Sequence, residues 1–165
     1  MEQQFIIENE QAMLALGQQL AKCIPPATVI FLYGQLGAGK TTLTRGFLSA
    51  LGYKGRVKSP TYTLVESYHF PDREVHHFDL YRLKDEEELY YLGFEEYFND
   101  QSIVLIEWPE ILQHPHPDLK CYIETIVESN YAAPAMALPS AVTARKIKLV
   151  SEGKIAQEME HLQAR

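Results

Sequence analysis

The segment Gly34-Gln35-Leu36-Gly37-Ala38-Gly39-Lys40-Thr41 fits the pattern G-x-x-x-x-G-K-[ST] at every fixed position. Such a loop leaves little freedom in what surrounds it. Its backbone N–H groups converge on one anion only through turns that side chains would block, hence Gly34, Gly37 and Gly39. A buried strand must lead in, and a helix must lead out with its positive dipole end facing the same anion. Both are legible. Thr28–Tyr33 (TVIFLY) is an uncharged β-branched and aromatic run, as a buried parallel strand reads. A helix is expected over Lys40–Leu51, stopped by Gly52. The fold class expected is α/β.

The chemistry of the loop is that of a nucleoside triphosphate site. Lys40 brings a full charge to the β- and γ-phosphates, and the Thr41 hydroxyl is placed to ligate Mg²⁺. Thr42 faces the α-phosphate side. The plain alternative, a glycine-rich turn with an idle lysine, lacks a reason for the flanking strand and helix.

The rest of the chain extends the same pattern. Phe5–Ile7 reads as a short edge strand, and Asn9 as the N-cap of a helix over Glu10–Lys22, ended by Pro25 and Pro26. Thr61–Tyr68 and Glu74–Leu80 read as strands of a hairpin turning at Pro71 and Asp72. Asp85 and Glu88 suggest a capping box on a short acidic helix closed by Gly93. Ser102–Ile106 is a second apolar strand, ending at Glu107, with a proline-marked loop behind it. Leu119–Val127 and Lys146–Val150 are expected strands, with a loop over Ser129–Ala141 and weak helical periodicity in the last dozen residues. No repeat or linker is evident, so one domain over residues 1–165 is expected.

A site of this kind needs a carboxylate for the metal, and that acid normally ends a buried strand beside the one feeding the loop. Glu107 and Asp79 both qualify. One would hold Mg²⁺ and the other orient the attacking water; the plainer reading of each is a solvated charge at a strand end. In Ser59-Pro60-Thr61, about twenty residues past Lys40, a hydroxyl is placed to reach the γ-phosphate or the metal as a switch residue does, or else simply marks a proline turn. Trp108, the only tryptophan, lies either beside the nucleotide or in the core. His114 and His116 alternate with prolines and make a poor metal site.

Composition enters as a set of exclusions. The formal charge is −7, so a protein gripping nucleic acid by itself is not expected; Lys54, Arg56 and Lys58 form a dense basic cluster. Cys23 and Cys121 form no CxxC pair and read as reduced bystanders. No apolar run approaches a membrane span, and the N-terminus lacks the basic start and apolar stretch of a signal peptide, so a cytoplasmic protein is expected.

The loop, Ser59-Pro60-Thr61-Tyr62-Thr63-Leu64-Val65-Glu66, His77-Phe78-Asp79-Leu80-Tyr81-Arg82 and Ile106-Glu107-Trp108-Pro109 together resemble the bacterial TsaE family, over about Asn9 to Pro109. The order and spacing of four motifs carry this resemblance. It implies a P-loop NTPase-like fold with a mostly parallel central sheet, flanking antiparallel strands and helices on both faces. It implies a small ATPase using ATP and Mg²⁺ and working with TsaD and TsaB. That assembly makes the threonylcarbamoyladenosine modification next to the anticodon of ANN-reading tRNAs. TsaD carries the transfer chemistry, and ATP hydrolysis resets the assembly. By the same resemblance Gly37 to Thr42, Ala38 included, hold the phosphates, and Thr41 and Glu107 hold Mg²⁺. Asp79 and Thr61 serve hydrolysis and switching, Trp108 sits close by, and Glu10 and Arg145 lie near the base.

Two rivals stand beside this expectation. A small-molecule kinase would need an arginine-dense lid, for which the chain offers only Arg45, Arg73 and Arg82. A nucleotide-dependent binding module would use ATP as glue, with negligible catalysis. A guanine-specific GTPase is disfavoured, because none of Asn9, Asn99 and Asn130 is followed by lysine as an Asn-Lys-x-Asp segment requires.

Overall fold

The computed structural model describes residues 1–127, 142–160 and 162. The expected loop Ser129–Ala141 lies outside them. In chain order the elements are β1 (Glu2–Ile7), α1 (Glu10–Cys23), β2 (Thr28–Tyr33), α2 (Lys40–Ala50), β3 (Val65–His69), β4 (Glu74–Asp79) and α3 (Glu87–Tyr90). They continue with β5 (Ser102–Glu107), β6 (Leu119–Val127), β7 (Val142–Ser151) and α4 (Gly153–Glu158). Short 3-10 turns follow α3 and β5.

The seven strands among the described residues form one sheet in the order β1-β7-β6-β2-β5-β4-β3. The centre, β6-β2-β5-β4, is parallel throughout. The β3–β4 hairpin at one side and the β6–β7 and β7–β1 pairs at the other are antiparallel. This is the mixed P-loop NTPase-like sheet that the resemblance implied. β5 shows why its centre must be parallel: every residue of Ser102–Glu107 is buried. Alternation splits that run between two cores, Ile103 and Leu105 facing the α1–α2 side, Val104 and Ile106 facing Phe78, Leu89 and Phe94. Helices therefore cover both faces.

The helix pair is unusually close. A Cβ on Gly17 would lie 2.2 Å from the Leu43 carbonyl oxygen, and one on Gly46 would lie 2.2 Å from that of Leu14. Only glycine allows this approach, so α2 is seated directly on α1. Asn9 caps α1 by accepting from the Ala12 N–H at 2.9 Å.

Four expectations differ in extent. The first strand starts at Glu2 rather than Phe5. The strand expected from Thr61 begins only at Val65, because Leu64 takes φ +69° and donates to the Pro60 carbonyl at 2.6 Å, closing a turn over residues 61–64. The acidic helix is a single turn. Asp85 accepts from the Glu88 N–H at 3.3 Å, but the return bond from Glu88 is made to the Lys84 N–H, and Gly93 at φ +66° ends the segment. The last strand runs to ten residues rather than five. No helix among the described residues is long and apolar enough to cross a membrane.

Candidate functional site

The loop between β2 and α2 passes through three left-handed glycines, Gly34 (φ +152°), Gly37 (+76°) and Gly39 (+115°). A side chain at Gly34 would also strike the Ile123 carbonyl oxygen at 2.6 Å. The N-terminus of α2 opens at Lys40, which is 4% exposed. Its ammonium donates to the Gly34 and Gln35 carbonyls at 2.6 and 3.0 Å and stands 4.0 Å from the centre of the Trp108 ring. Burial lowers the Lys40 pKa, while the charges of Glu107, Asp79 and Glu110 oppose the shift.

The two acids meet through sheet register. β4 and β5 pair in parallel with Asp79 opposite Glu107, so both carboxylates leave the same end of adjacent strands beside the loop. They are 3% exposed. Glu107 Oε1 accepts from the Thr41 hydroxyl and from His77 Nε2, each at 2.8 Å. Asp79 Oδ2 accepts from the Thr61 hydroxyl at 2.7 Å and from the Ser59 hydroxyl, and its Oδ1 accepts from the Tyr81 N–H at 3.0 Å.

A cleft of about 280 Å³ is lined by Leu36, Gly37, Gly39, Lys40, Thr41, Thr42, Ser59, Thr61, Asp79, Tyr81, Glu107 and Trp108. It thus gathers most of the residues read from sequence. Trp108 is reached through a left-handed turn (φ +58°) and packs on Tyr81, ring centres 4.9 Å apart. Arg145 approaches from behind, its Nε donating to the Ala38 carbonyl at 2.7 Å. Glu10 does not line the cleft; it pairs with Arg45 at 2.7 Å, and Arg45 in turn donates to the Thr42 hydroxyl at 3.3 Å.

In the Ser59-Pro60-Thr61 segment both hydroxyls bond Asp79, and two participants were given no role from sequence: Tyr81 on Trp108 and His77 on Glu107. The signal for His77 was available, since it precedes Asp79 by two residues on a strand and so shares its face. The arginines do not form a lid. Arg73 sits before β4, at the opposite end of the sheet from Asp79, and Arg82 lies over the Tyr62 ring at 4.1 Å. His114 and His116 are ring neighbours at 5.2 Å, and the described residues hold no group of three or more His, Cys, Asp or Glu suited to a metal. The oxygen donors at the cleft, among them the Thr41 hydroxyl and the Asp79 and Glu107 carboxylates, suit a hard cation such as Mg²⁺, which is usually bound by one or two carboxylates together with phosphates.

A parallel-centred sheet, a glycine loop at the end of a central strand and a helix N-terminus behind it define a P-loop NTPase-like protein. Comparisons narrow the class. The family profile described as "Threonylcarbamoyl adenosine biosynthesis protein TsaE" matches residues 7–133, and the chain belongs to this TsaE family. The tRNA threonylcarbamoyladenosine biosynthesis protein TsaE of Haemophilus influenzae is 51% identical over 109 residues, covering 63% of this chain and 69% of the relative. Its Bacillus subtilis namesake is 37% identical over 115 residues, covering 70% and 72%. The crystal structure of Bacillus subtilis YdiB superposes with a TM-score of 0.74 at 26% identity, covering 98% of this chain and 94% of that one.

Proposed function

We propose that this protein is a single-domain ATPase required for tRNA threonylcarbamoyladenosine modification, acting in the cytoplasm with TsaD and TsaB. The observation that carries the reading is the pairing of Asp79 and Glu107 at one end of the parallel sheet, with Thr41 bonded to Glu107. The family membership and the names of the relatives supply the pathway.

In this reading the N–H groups of Gly37 to Thr42 and the α2 N-terminus bind the phosphates of ATP. Lys40 leaves the Gly34 and Gln35 carbonyls and takes the β- and γ-phosphate oxygens instead. Thr41 and Glu107 hold Mg²⁺, which when bound neutralises charge developing on the phosphates. Asp79 orients the attacking water. It gains room to do so when Thr61 and Ser59 release it, and Thr61 then turns towards the phosphate as a switch. Trp108 shields the cleft, and Arg145 and Glu10 lie on the base side of the loop. Lys54, Arg56 and Lys58, exposed on the loop after α2, offer a dense basic contact for RNA within an assembly.

One observation favours a second reading. Asp79 already accepts three hydrogen bonds. A carboxylate so occupied is a weak partner for water, as a binding module that hydrolyses negligibly would have. The deciding experiment measures ATP turnover with and without TsaB and TsaD, for the native chain, Lys40→Ala and Glu107→Ala. Partner-dependent turnover that both substitutions abolish is expected. ATP binding with no turnover under any condition would replace the ATPase by the binding module.

A further inference from the structure

The Glu107 carboxylate has two donors on one oxygen, and they differ in what a metal does to them. Thr41 is itself a proposed metal ligand, so its hydroxyl is committed elsewhere once the cation arrives. His77 is not. Its ring is 0% exposed, and its Nε2 bond to Glu107 Oε1 spans 2.8 Å. A carboxylate accepts, so Nε2 carries the hydrogen. The other ring nitrogen, Nδ1, is buried and makes no hydrogen bond among the described residues. The ring therefore has a single polar contact, and that contact is Glu107. An imidazole placed in a buried strand for packing alone would be better replaced by an apolar side chain, since each unpaired buried nitrogen is costly.

We propose that His77 is a positioning residue: it anchors Glu107 in the metal-receiving orientation and keeps it there when Thr41 turns to the cation. This rests on the reading of Glu107 as a Mg²⁺ ligand. The bond leaves Oε2 as the oxygen without a competing hydrogen-bond donor among the described residues. Partners that orient a liganding carboxylate typically change metal affinity by roughly 10–100-fold when removed.

The test compares four full-length chains: native, His77→Leu, His77→Gln and His77→Asn, with Glu107→Gln alongside. Gln carries its amide nitrogen about where Nε2 stands, whereas the shorter Asn mimics Nδ1 and falls short of Glu107. Two quantities are read: affinity for a fluorescent ATP analogue in EDTA, and Mn²⁺ binding to the nucleotide-loaded protein by electron paramagnetic resonance. The expected result is metal-free nucleotide affinity within about twofold of native for the three His77 variants. Mn²⁺ affinity should fall at least about tenfold in His77→Leu and His77→Asn and return to within about threefold in His77→Gln. If His77→Leu fails to fold, the Gln and Asn pair decides alone. Equal Mn²⁺ affinity in that pair, with Glu107→Gln clearly weakened, overturns the role of His77 and leaves Glu107 standing. Native Mn²⁺ affinity in Glu107→Gln overturns the metal-ligand reading itself.

Discussion

The two walls of the cleft are built on different physics. The wall carrying Lys40 and Thr41 is the start of α2, whose Leu43, Phe47 and Leu48 are at most 1% exposed and whose Gly46 lies directly against α1. The facing wall, residues 59–64, is fastened to Asp79 by two hydroxyls and by the Asp79 N–H bond to the Leu64 carbonyl at 3.0 Å. Apolar packing is non-directional and spread over many atoms, so no ligand oxygen substitutes for it. Hydroxyl–carboxylate bonds are individually exchangeable for bonds to a phosphate or a water. The first wall is a foundation and the second a latch.

That contrast is breakable. The largest effect is expected from Phe47→Ala, which empties the α2 seat and should lower stability by about 3–5 kcal/mol in denaturant titration. A loss under about 1 kcal/mol would mean the seat is not packed as described. Gly46→Ala pushes a methyl onto the Leu14 carbonyl. Overpacking costs about 1–3 kcal/mol and helix propensity returns less than about 1, so a net loss of about 1–2 kcal/mol is expected by thermal melting. A rise in melting temperature would show that the helices part freely.

Tyr68 links the strand that follows one wall to the chain that follows the helix of the other. It lies on β3 behind the latch and meets Tyr53, just past α2, edge-on at 4.8 Å. Burial pushes its phenol from 10.0 up to about 12. The native state thus keeps a proton that the unfolded chain gives up. This contribution is complete below about pH 10 and is lost as pH rises towards about 12. Stability should fall by roughly 1–2 kcal/mol over that window, and Tyr68→Phe should remove that part of the slope. An identical slope in the variant would assign the alkaline loss elsewhere.

The smallest effect belongs to the latch. Ser59→Ala and Thr61→Val should each cost about 0.5–1.5 kcal/mol or less. Their signature is local: amide exchange should quicken at residues 61–64 and stay unchanged in α2. Exchange that quickens equally in both places would erase the distinction between the walls.

Much of the foundation was legible because it obeys short-range rules. Asn9, the apolar run Thr28–Tyr33 and the glycines of the loop act within a turn of where they stand. The latch was half legible. Asp79 and Glu107 each announce themselves by ending an apolar strand, but their adjacency comes from β4–β5 register, which no local pattern encodes. The strand read from Thr61 begins four residues late, because Leu64 adopts a left-handed backbone that its side chain gives no warning of. His76 and His77 look alike in sequence. Strand alternation puts His77, not His76, on the face of Asp79, but only the register adds that its partner there is Glu107, while His76 bonds Ser67. The resemblance put Arg145 near the base; its bond to the Ala38 carbonyl was not legible, since the arginine reaches the loop across 107 residues of chain.

The contact between Lys40 and Trp108 has an optical consequence. The indole is the only one in the chain, so all tryptophan emission originates 4.0 Å from the ammonium that the phosphates would draw away. The native protein thus carries its own unlabelled fluorophore at the mouth of the cleft. A change in its intensity on adding ATP would report rearrangement around the lysine, separately from any later step.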